Sequence, residues 1–275
     1  MMTTLEMLNI EEKELKSFLQ DVWNIYKVDF REYGKAHLKR RIRHRMTIAK
    51  YQSFEGLKND VLSSKAAFDG LFGDFSINVT ELFRDPAFYV ELATVLKEKN
   101  FQYPLKIWIT ACASGEEVYS FLMLLDHLKI PVEKIVATDF NPHIVEVASQ
   151  GIIDAFKIKE YLKNLKKCNL EIDFDNYFDL DNGNYQMKEE YLSTVQFVNH
   201  NLNDAHDFGT FHMISCRNVL IYFEKPFQNR VINMFAKSLK QEGILCLGSK
   251  ESLRFMDAYP KFHTISQEHK IYQKN

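Results

Sequence analysis

The chain has no stretch near the roughly 18 uninterrupted apolar residues that a membrane span needs. Its start, Met1-Met2-Thr3-Thr4-Leu5-Glu6, lacks the basic-then-apolar order of a signal peptide. Both absences point to a cytoplasmic protein that does not insert into a membrane. Cysteine is scarce: Cys112, Cys168, Cys216 and Cys246 show no Cys-x-x-Cys spacing, and three of them fall in expected buried strands. They read as small core residues in a reducing compartment. The nine histidines are scattered, so no metal site is expected. Neither sign of charge dominates, and a net charge of -2 with a pI near 6.5 argues against a nucleic-acid partner. No internal repeat or low-complexity tract is visible. What remains is a chain of 275 residues, 46% hydrophobic and 26% charged, long enough for one large globular domain or two modest ones.

Glycine is missing where nucleotide-binding loops want it. Ile107-Trp-Ile109 is a short apolar run that ends in small residues, after which Val118, Phe121, Leu122 and Leu125 recur at helical spacing. This is strand, tight turn, helix, and Ile135 to Asp139 is a second buried strand closing on an acid, as in a nucleotide-binding β-α-β half. A dinucleotide turn has G-x-G-x-x-G and a phosphate loop ends Gly-Lys-Ser/Thr, but here only Gly115 is present. Glu116 and Glu117 follow it, and two carboxylates at a helix N-terminus repel phosphate. A cationic nucleoside such as S-adenosylmethionine fits better, with Asp139 meeting the ribose. The plain alternative is a buried sheet with a solvated Glu-Glu pair capping a helix.

In chain order, Asn9 with Glu12 resembles a capping box, and Leu15, Phe18, Leu19, Val22 and Tyr26 then make one apolar face. A second helix starts near Lys35 and carries the densest positive run, His37 to Arg45. Leu38, Ile42, Met46 and Ala49 share its apolar face, Lys39, Arg40, Arg43 and Lys50 point the other way, and Arg41 and Arg45 flank the stripe. Phe54, Leu57, Val61, Phe68 and Leu71 suggest one further helix, so residues 1–76 read as a helical domain. In the connector that follows, Asp85 and Pro86 start a helix as N-cap and first residue, while Asn78, Thr80 and Arg84 have no obvious core role. Residues 77–275 read as an α/β domain with strands at Lys106–Thr110, Ile135–Asp139, Val195–Asn199, Phe211–Cys216 and Ile244–Gly248. Residues 157–194 look like an inserted subdomain with a hairpin turning at Asp181-Asn-Gly-Asn184. Phe262–Ile265 and His269–Tyr272 look like a terminal antiparallel pair.

The carboxyl ends of these strands bring together Ala113 to Glu117, Asp139, Asn201-Leu202 and Cys216-Arg-Asn-Val-Leu-Ile-Tyr-Phe223. With Ile77-Asn-Val-Thr-x-x-Phe-Arg84, Ala111-Cys-x-Ser-Gly-Glu-Glu-x-Tyr-Ser120, Ala137-Thr-Asp139 and Leu247-Gly-Ser-x-Glu-Ser-Leu253, the chain closely resembles, over nearly its whole length, the CheR family of chemoreceptor glutamate methyltransferases. The resemblance implies a class I, Rossmann-like methyltransferase fold, S-adenosylmethionine as methyl donor and S-adenosylhomocysteine as product. It implies that Asn78, Thr80, Arg84, Glu117, Asp139, Asn201, Leu202, Arg217 and Asn218 line the cofactor site and that Arg84 and Tyr222 face the reacting groups. Three positions depart from the family pattern: Ala113-Ser114 stands for a usual Ser-Thr, Val118 for a usual Pro, and His212 where an Asp often precedes the fourth strand.

The acceptor implied is a glutamate side chain in the cytoplasmic helical region of transmembrane chemoreceptors. A carboxylate with a reference pKa near 4.3 is already an ionised nucleophile at neutral pH, so no general base is required. Lys39, Arg40 and Arg43 would present a cationic face to an acidic receptor helix. The protein is expected to act as a monomer. Two other readings stay open: a methyltransferase of another substrate class, such as RNA or a small molecule, and a non-catalytic cofactor-binding regulator.

Overall fold

The computed structural model describes residues 10–76, 79–99, 101, 103–204 and 207–275. The chain divides into two compact units, Met1–Ile77 with Tyr222–Phe227, and Asn78–Ile221 with Gln228–Asn275.

The first unit holds helices α1 (Glu12–Tyr26), α2 (Lys35–Ile48), α3 (Phe54–Ser63) and α4 (Lys65–Phe75). The capping box of α1 is formed by Glu11 and Glu14; Asn9, expected in that role, lies outside the described residues. Leu15, Phe18, Leu19 and Val22 are buried as their spacing predicts. Tyr26 sits at the edge, stacked on Phe68 with ring centroids 3.8 Å apart and donating its hydroxyl to the Val61 carbonyl at 2.6 Å. On α2, Leu38, Ile42 and Met46 are buried, whereas Ala49 is exposed beyond the helix end. Arg45 reaches inward to Asp74 and the Gly70 carbonyl.

The single helix expected from Phe54 to Leu71 is two. Ser64 adopts an extended backbone and its hydroxyl accepts the Ala67 N–H at 3.3 Å, so it ends one helix and caps the next. Apolar spacing runs on across this break, which is why periodicity missed it. Tyr222–Phe227 joins the same unit. The Gly34 N–H donates to the Tyr222 carbonyl at 2.8 Å, the Glu224 N–H to the Glu32 carbonyl at 2.9 Å, and Phe223 meets Tyr33 edge-on at 5.0 Å.

The second unit is built on a sheet of β1 (Leu105–Thr110), β2 (Val132–Asp139), β6 (Val195–Asn199), β7 (Phe211–Cys216), β8 (Leu239–Leu247), β9 (Phe262–Ser266) and β10 (Ile271–Lys274), in the order β6-β2-β1-β7-β8-β10-β9. The first five positions of that order run parallel, and β10 pairs antiparallel with both β8 and β9. In β7 every residue is buried, as in parallel sheets covered on both faces. Helices α6 (Glu116–His127), α7 (Pro142–Ser149) and α10 (Lys225–Ser238) belong to the crossovers, and α5 (Pro86–Lys99) precedes β1. Strand order reverses between β1 and β7, so the crevice at their carboxyl ends is where such a sheet binds ligands.

The small antiparallel sheet has the order β3-β5-β4, with β3 at Ile152–Asp154, β4 at Phe178–Asp181 and β5 at Asn184–Met187. Its hairpin turns at Asn182 and Gly183, both at positive φ as a two-residue turn requires. The subdomain starts before Lys157, at β3, and contains a helix, α8 (Ala155–Cys168), that sequence reasoning missed; a four-residue helix α9 (Glu189–Leu192) precedes β6. Lysines dominate α8, yet Tyr161, Leu165 and Cys168 form a buried stripe along it. All four cysteines are free and buried, but only Cys216 and Cys246 lie in strands: Cys112 is on a turn and Cys168 ends α8.

Strand β8 begins at Leu239, five residues before the expected start. It pairs Leu239 with Phe211 and then Ile244 with Met213, so a bulge takes up Lys240 to Gly243. That bulge sets the Lys240 ammonium 2.8 Å from Nε2 of His212, while the Lys106 N–H donates to His212 Nδ1 at 2.8 Å. A neutral imidazole can accept at one nitrogen only, and both neighbours offer protons. Burial and Lys240 hold the His212 pKa below the usual value, and protonation would only turn the remaining acceptor nitrogen into a second donor, so the conflict stands. A carboxylate, whose two oxygens both accept, would suit the two donors better. His212 is five residues before Arg217, about 16 Å along the strand from the ligand end. His212→Asp should therefore leave cofactor affinity and methyl transfer unchanged, and raise stability by up to about 1 kcal/mol. Calorimetry and thermal unfolding check this, and a change in cofactor affinity would contradict it.

Candidate active site

The turn from β1 to α6 is tight because alternate residues take left-handed backbone: Ala111 at φ 50°, Ala113 at 47° and Gly115 at 99°. A Cβ on Gly115 would lie 2.5 Å from the Tyr119 hydroxyl, so this position needs glycine. Asp139, at the end of β2, holds the turn. Its Oδ2 accepts the Ala113 N–H at 3.1 Å and its Oδ1 the Asn141 N–H at 3.0 Å. Burial pushes this carboxyl up to about 6, against the opposite pull of the N–H bonds from Asn141 and Ala113. An ionised carboxylate has about four acceptor positions, more than these backbone donors fill, so it can also accept from a hydroxyl of a ligand.

Glu116 and Glu117 are not a solvated pair. Glu116 is 4% exposed and accepts hydroxyls from Ser114 at 2.6 Å and Tyr161 at 2.8 Å, with the Lys157 ammonium at 3.8 Å. Glu117 accepts the Ser215 hydroxyl at 2.7 Å and Nη1 of Arg217 at 3.0 Å. Arg217 has 1% of its side chain exposed; its Nη2 donates to Asp85 at 3.0 Å and to the Arg84 carbonyl at 3.1 Å, and its guanidinium lies 3.9 Å from the Phe88 ring centroid. Burial alone would lower its pKa, but Glu117, Tyr89 and Asp85 raise it overall, so the charge is secure. Asp85, expected to cap α5, thus gives its carboxylate to Arg217, on a backbone at φ 60°.

The sequence-predicted residues fall into distinct places. Asn78 lies outside the described residues. Thr80 and Arg84 are half-buried on the connector: the Thr80 carbonyl receives the Tyr161 hydroxyl at 3.5 Å, and Arg84 Nη1 donates to the Val79 carbonyl at 2.8 Å. Asn201 and Leu202 follow β6 half-buried, with Asn201 Oδ1 accepting the Asn203 N–H at 3.1 Å. Asn218 follows β7 at φ 62°, and its Oδ1 is buried with no protein donor among the described residues. Tyr222 belongs to the first unit, where its ring lies 4.7 Å from that of His37. Burial, with Arg41 and Arg40, lowers His37 to about 4, so that ring is neutral at physiological pH. On α2, Arg40 and Arg43 are exposed and Lys39 is half-buried. No cluster of His, Cys, Asp and Glu suited to a metal occurs among the described residues. Ser215, hidden in an apolar strand, escaped sequence reasoning, and Glu251, which lies in the Leu247–Leu253 motif but had no role assigned to it, grips with its carboxylate the backbone that carries Asn218.

This donor set suits a cationic nucleoside. Asp139 can take hydroxyls, Asn218 Oδ1 is an acceptor in need of a donor, and the buried cation Arg217 is neutralised by Glu117 and Asp85 rather than open to phosphate. Comparison with known proteins agrees. Residues 78–271 match the family described as "CheR methyltransferase, SAM binding domain", and residues 13–76 match "CheR methyltransferase, all-alpha domain". The "Putative methyltransferase Cher3" of Pseudomonas putida is 34% identical over 264 residues, covering 95% of this chain and 97% of that one. The "Chemotaxis protein methyltransferase" of Vibrio parahaemolyticus is 29% identical over 267 residues, 92% of each chain. Among solved structures, the plantazolicin methyltransferase BpumL with SAH is similar over 76% of this chain and 61% of that one, at 10% identity and a TM-score of 0.38. The sheet and its acid-lined turn are those of an S-adenosylmethionine-dependent methyltransferase. The chain belongs to the CheR methyltransferase family.

Proposed function

We propose that this protein transfers a methyl group to glutamate side-chain carboxylates of chemoreceptors, giving glutamate methyl esters. The observation that carries the reading is similarity over 92% of both chains to a protein named chemotaxis protein methyltransferase. S-adenosylmethionine supplies the methyl group, activated on a sulfonium. Asp139 would accept the ribose hydroxyls, and Asn218, with Thr80, Asn201, Leu202 and Asn78, would line the rest of the cofactor. Glu117 would face the cofactor's cationic end, and Arg217 would act through Glu117 by holding it in place. Arg84 has donors beyond the one bonded to Val79 and would orient the acceptor carboxylate by a charge-assisted hydrogen bond. Tyr222 would donate a second. Opposite charges vanish in the transfer, so excluding water from the reacting pair favours it.

The partner surface is α2. Its exposed Arg40 and Arg43, beside Lys39, fit an acidic receptor helix. No described helix is long and apolar enough to cross a membrane. The protein would meet the cytoplasmic part of its receptor as a monomer, by way of this face.

Two measurements test the assignment. With its pKa raised from 3.8 to about 6, Asp139 keeps a proton in the folded protein that the unfolded chain has released. Its ionisation therefore lowers the stability of the free protein as pH rises towards 6. Ribose hydroxyls favour the ionised form, so cofactor affinity should be level well above pH 6 and fall as pH drops through 6. Asp139→Ala should weaken binding by about 1 to 3 kcal/mol in calorimetry and remove that pH dependence. Unchanged affinity would take Asp139 out of the site.

Reversing Arg40 and Arg43 to Glu should slow methylation of receptor-containing membranes and remove most of its salt dependence, with cofactor affinity unaltered. If receptor methylation is untouched and RNA binding is lost instead, the basic face serves nucleic acid and the receptor reading fails.

A further inference from the structure

Glu251 is a buried carboxylate with no ion pair among the described residues. It follows the end of β8 by four residues, is 5% exposed, and has backbone N–H groups as its partners. It accepts from Gly248 at 2.6 Å, Asn218 at 3.0 Å, Val219 at 2.9 Å and Leu220 at 2.7 Å. Three of these donors are consecutive residues of the loop that leaves β7. Burial raises the Glu251 pKa and the four N–H groups pull it back. A loop that aims three successive N–H groups at one point is held there by the anion, since the same groups left buried without an acceptor would each be costly.

The grip has a steric counterpart. A Cβ on Gly248 would come within 2.6 Å of the Asn218 nitrogen and 2.8 Å of both Asn218 Nδ2 and Glu251 Oε2. Only glycine lets the end of β8 close on the Asn218 backbone. The result is Asn218 in left-handed conformation with its side-chain oxygen buried and without a protein donor. Arg217 precedes the gripped segment and Tyr222 ends the short 3-10 turn, Leu220–Tyr222, that begins within it. A merely cohesive contact would not require a charge here, because apolar packing could join the two loops without burying a carboxylate.

We infer that Glu251 is a positioning residue for methyl transfer: by clamping the backbone of Gly248 and Asn218 to Leu220, it presents the Asn218 side-chain oxygen to the cofactor. This rests on the reading of Asn218 as part of the cofactor site, and it assigns to Glu251 a role separate from contact with either substrate.

Three variants of the full chain test it: Glu251→Gln, Glu251→Ala and Gly248→Ala, the last of which presses on the clamp without removing its charge. The glutamine keeps one acceptor oxygen and turns an NH2 group towards N–H donors, so it loses part of the grip. Cofactor affinity by calorimetry and the separate KM values for cofactor and receptor membranes are measured well below each variant's melting temperature. The expected result is about tenfold or greater weakening of cofactor binding, with a matching rise in cofactor KM and no change in receptor KM. A lowered melting temperature with wild-type cofactor affinity would reduce Glu251 to a structural residue and overturn the inference. Should both Glu251 variants fail to fold, Gly248→Ala decides: wild-type cofactor affinity in it overturns the inference, and selective loss upholds it. Failure of the wild-type protein to bind S-adenosylmethionine is a different result, which would remove the proposed function and this inference together.

Discussion

A guanidinium sealed from water holds the ligand end of the sheet together. Arg217 joins the loop after β7 to the first turn of α6 through Glu117, and to the connector before α5 through Asp85 and the Arg84 carbonyl. A charge in that position is tolerable only while its partners stay in place, because removing either carboxylate leaves buried charge uncompensated. The geometry of three separate segments is therefore tied to one side chain. Arg84, whose carbonyl is one of these contacts, inherits its placement from it, while Glu251 holds the neighbouring Asn218.

The site repeats one device with different partners. Glu117 is neutralised by a cation, Glu116 is satisfied by two hydroxyls and a lysine at 3.8 Å, and Asp139 and Glu251 are satisfied by backbone N–H groups. Each buried acid fixes a loop at the carboxyl end of a strand, and together they make the region anionic. That balance disfavours phosphate and favours a sulfonium-bearing nucleoside, so the chemistry of the cofactor follows from the way the loops are held.

Much of this fold was legible because parallel strands are continuous apolar runs: Ile107–Ile109, Ile135–Ala137 and Phe211–Cys216 announce themselves. Asp139 was legible as an acid closing a strand, and the buried face of α2 as a helical stripe. Helix α8 was not, because its lysines mask Tyr161, Leu165 and Cys168, and the break at Ser64 was not, because apolar spacing continues through it. The pairing of Glu117 with Arg217 spans 100 residues of sequence and that of Glu251 with Asn218 spans 33, distances over which local patterns carry nothing. Tyr222 was read from its motif, yet its grouping with the helices depends on the Gly34 N–H that its carbonyl accepts and on the bridge from the next residue, Phe223, to Tyr33. His212 stood out as a departure, and only the bulge in β8 explains why a carboxylate suits that position.

The central claim concerns the atom that receives the methyl group. An ionised glutamate needs no base, and its methyl ester hydrolyses in mild alkali, whereas methyl groups on protein nitrogen, RNA bases or ribose largely survive. Protein incubated with methyl-labelled S-adenosylmethionine and chemoreceptor-containing membranes, then treated with base, should yield protein-bound label that is released as volatile methanol. Label that resists alkali would contradict glutamate as the acceptor, however fast the transfer.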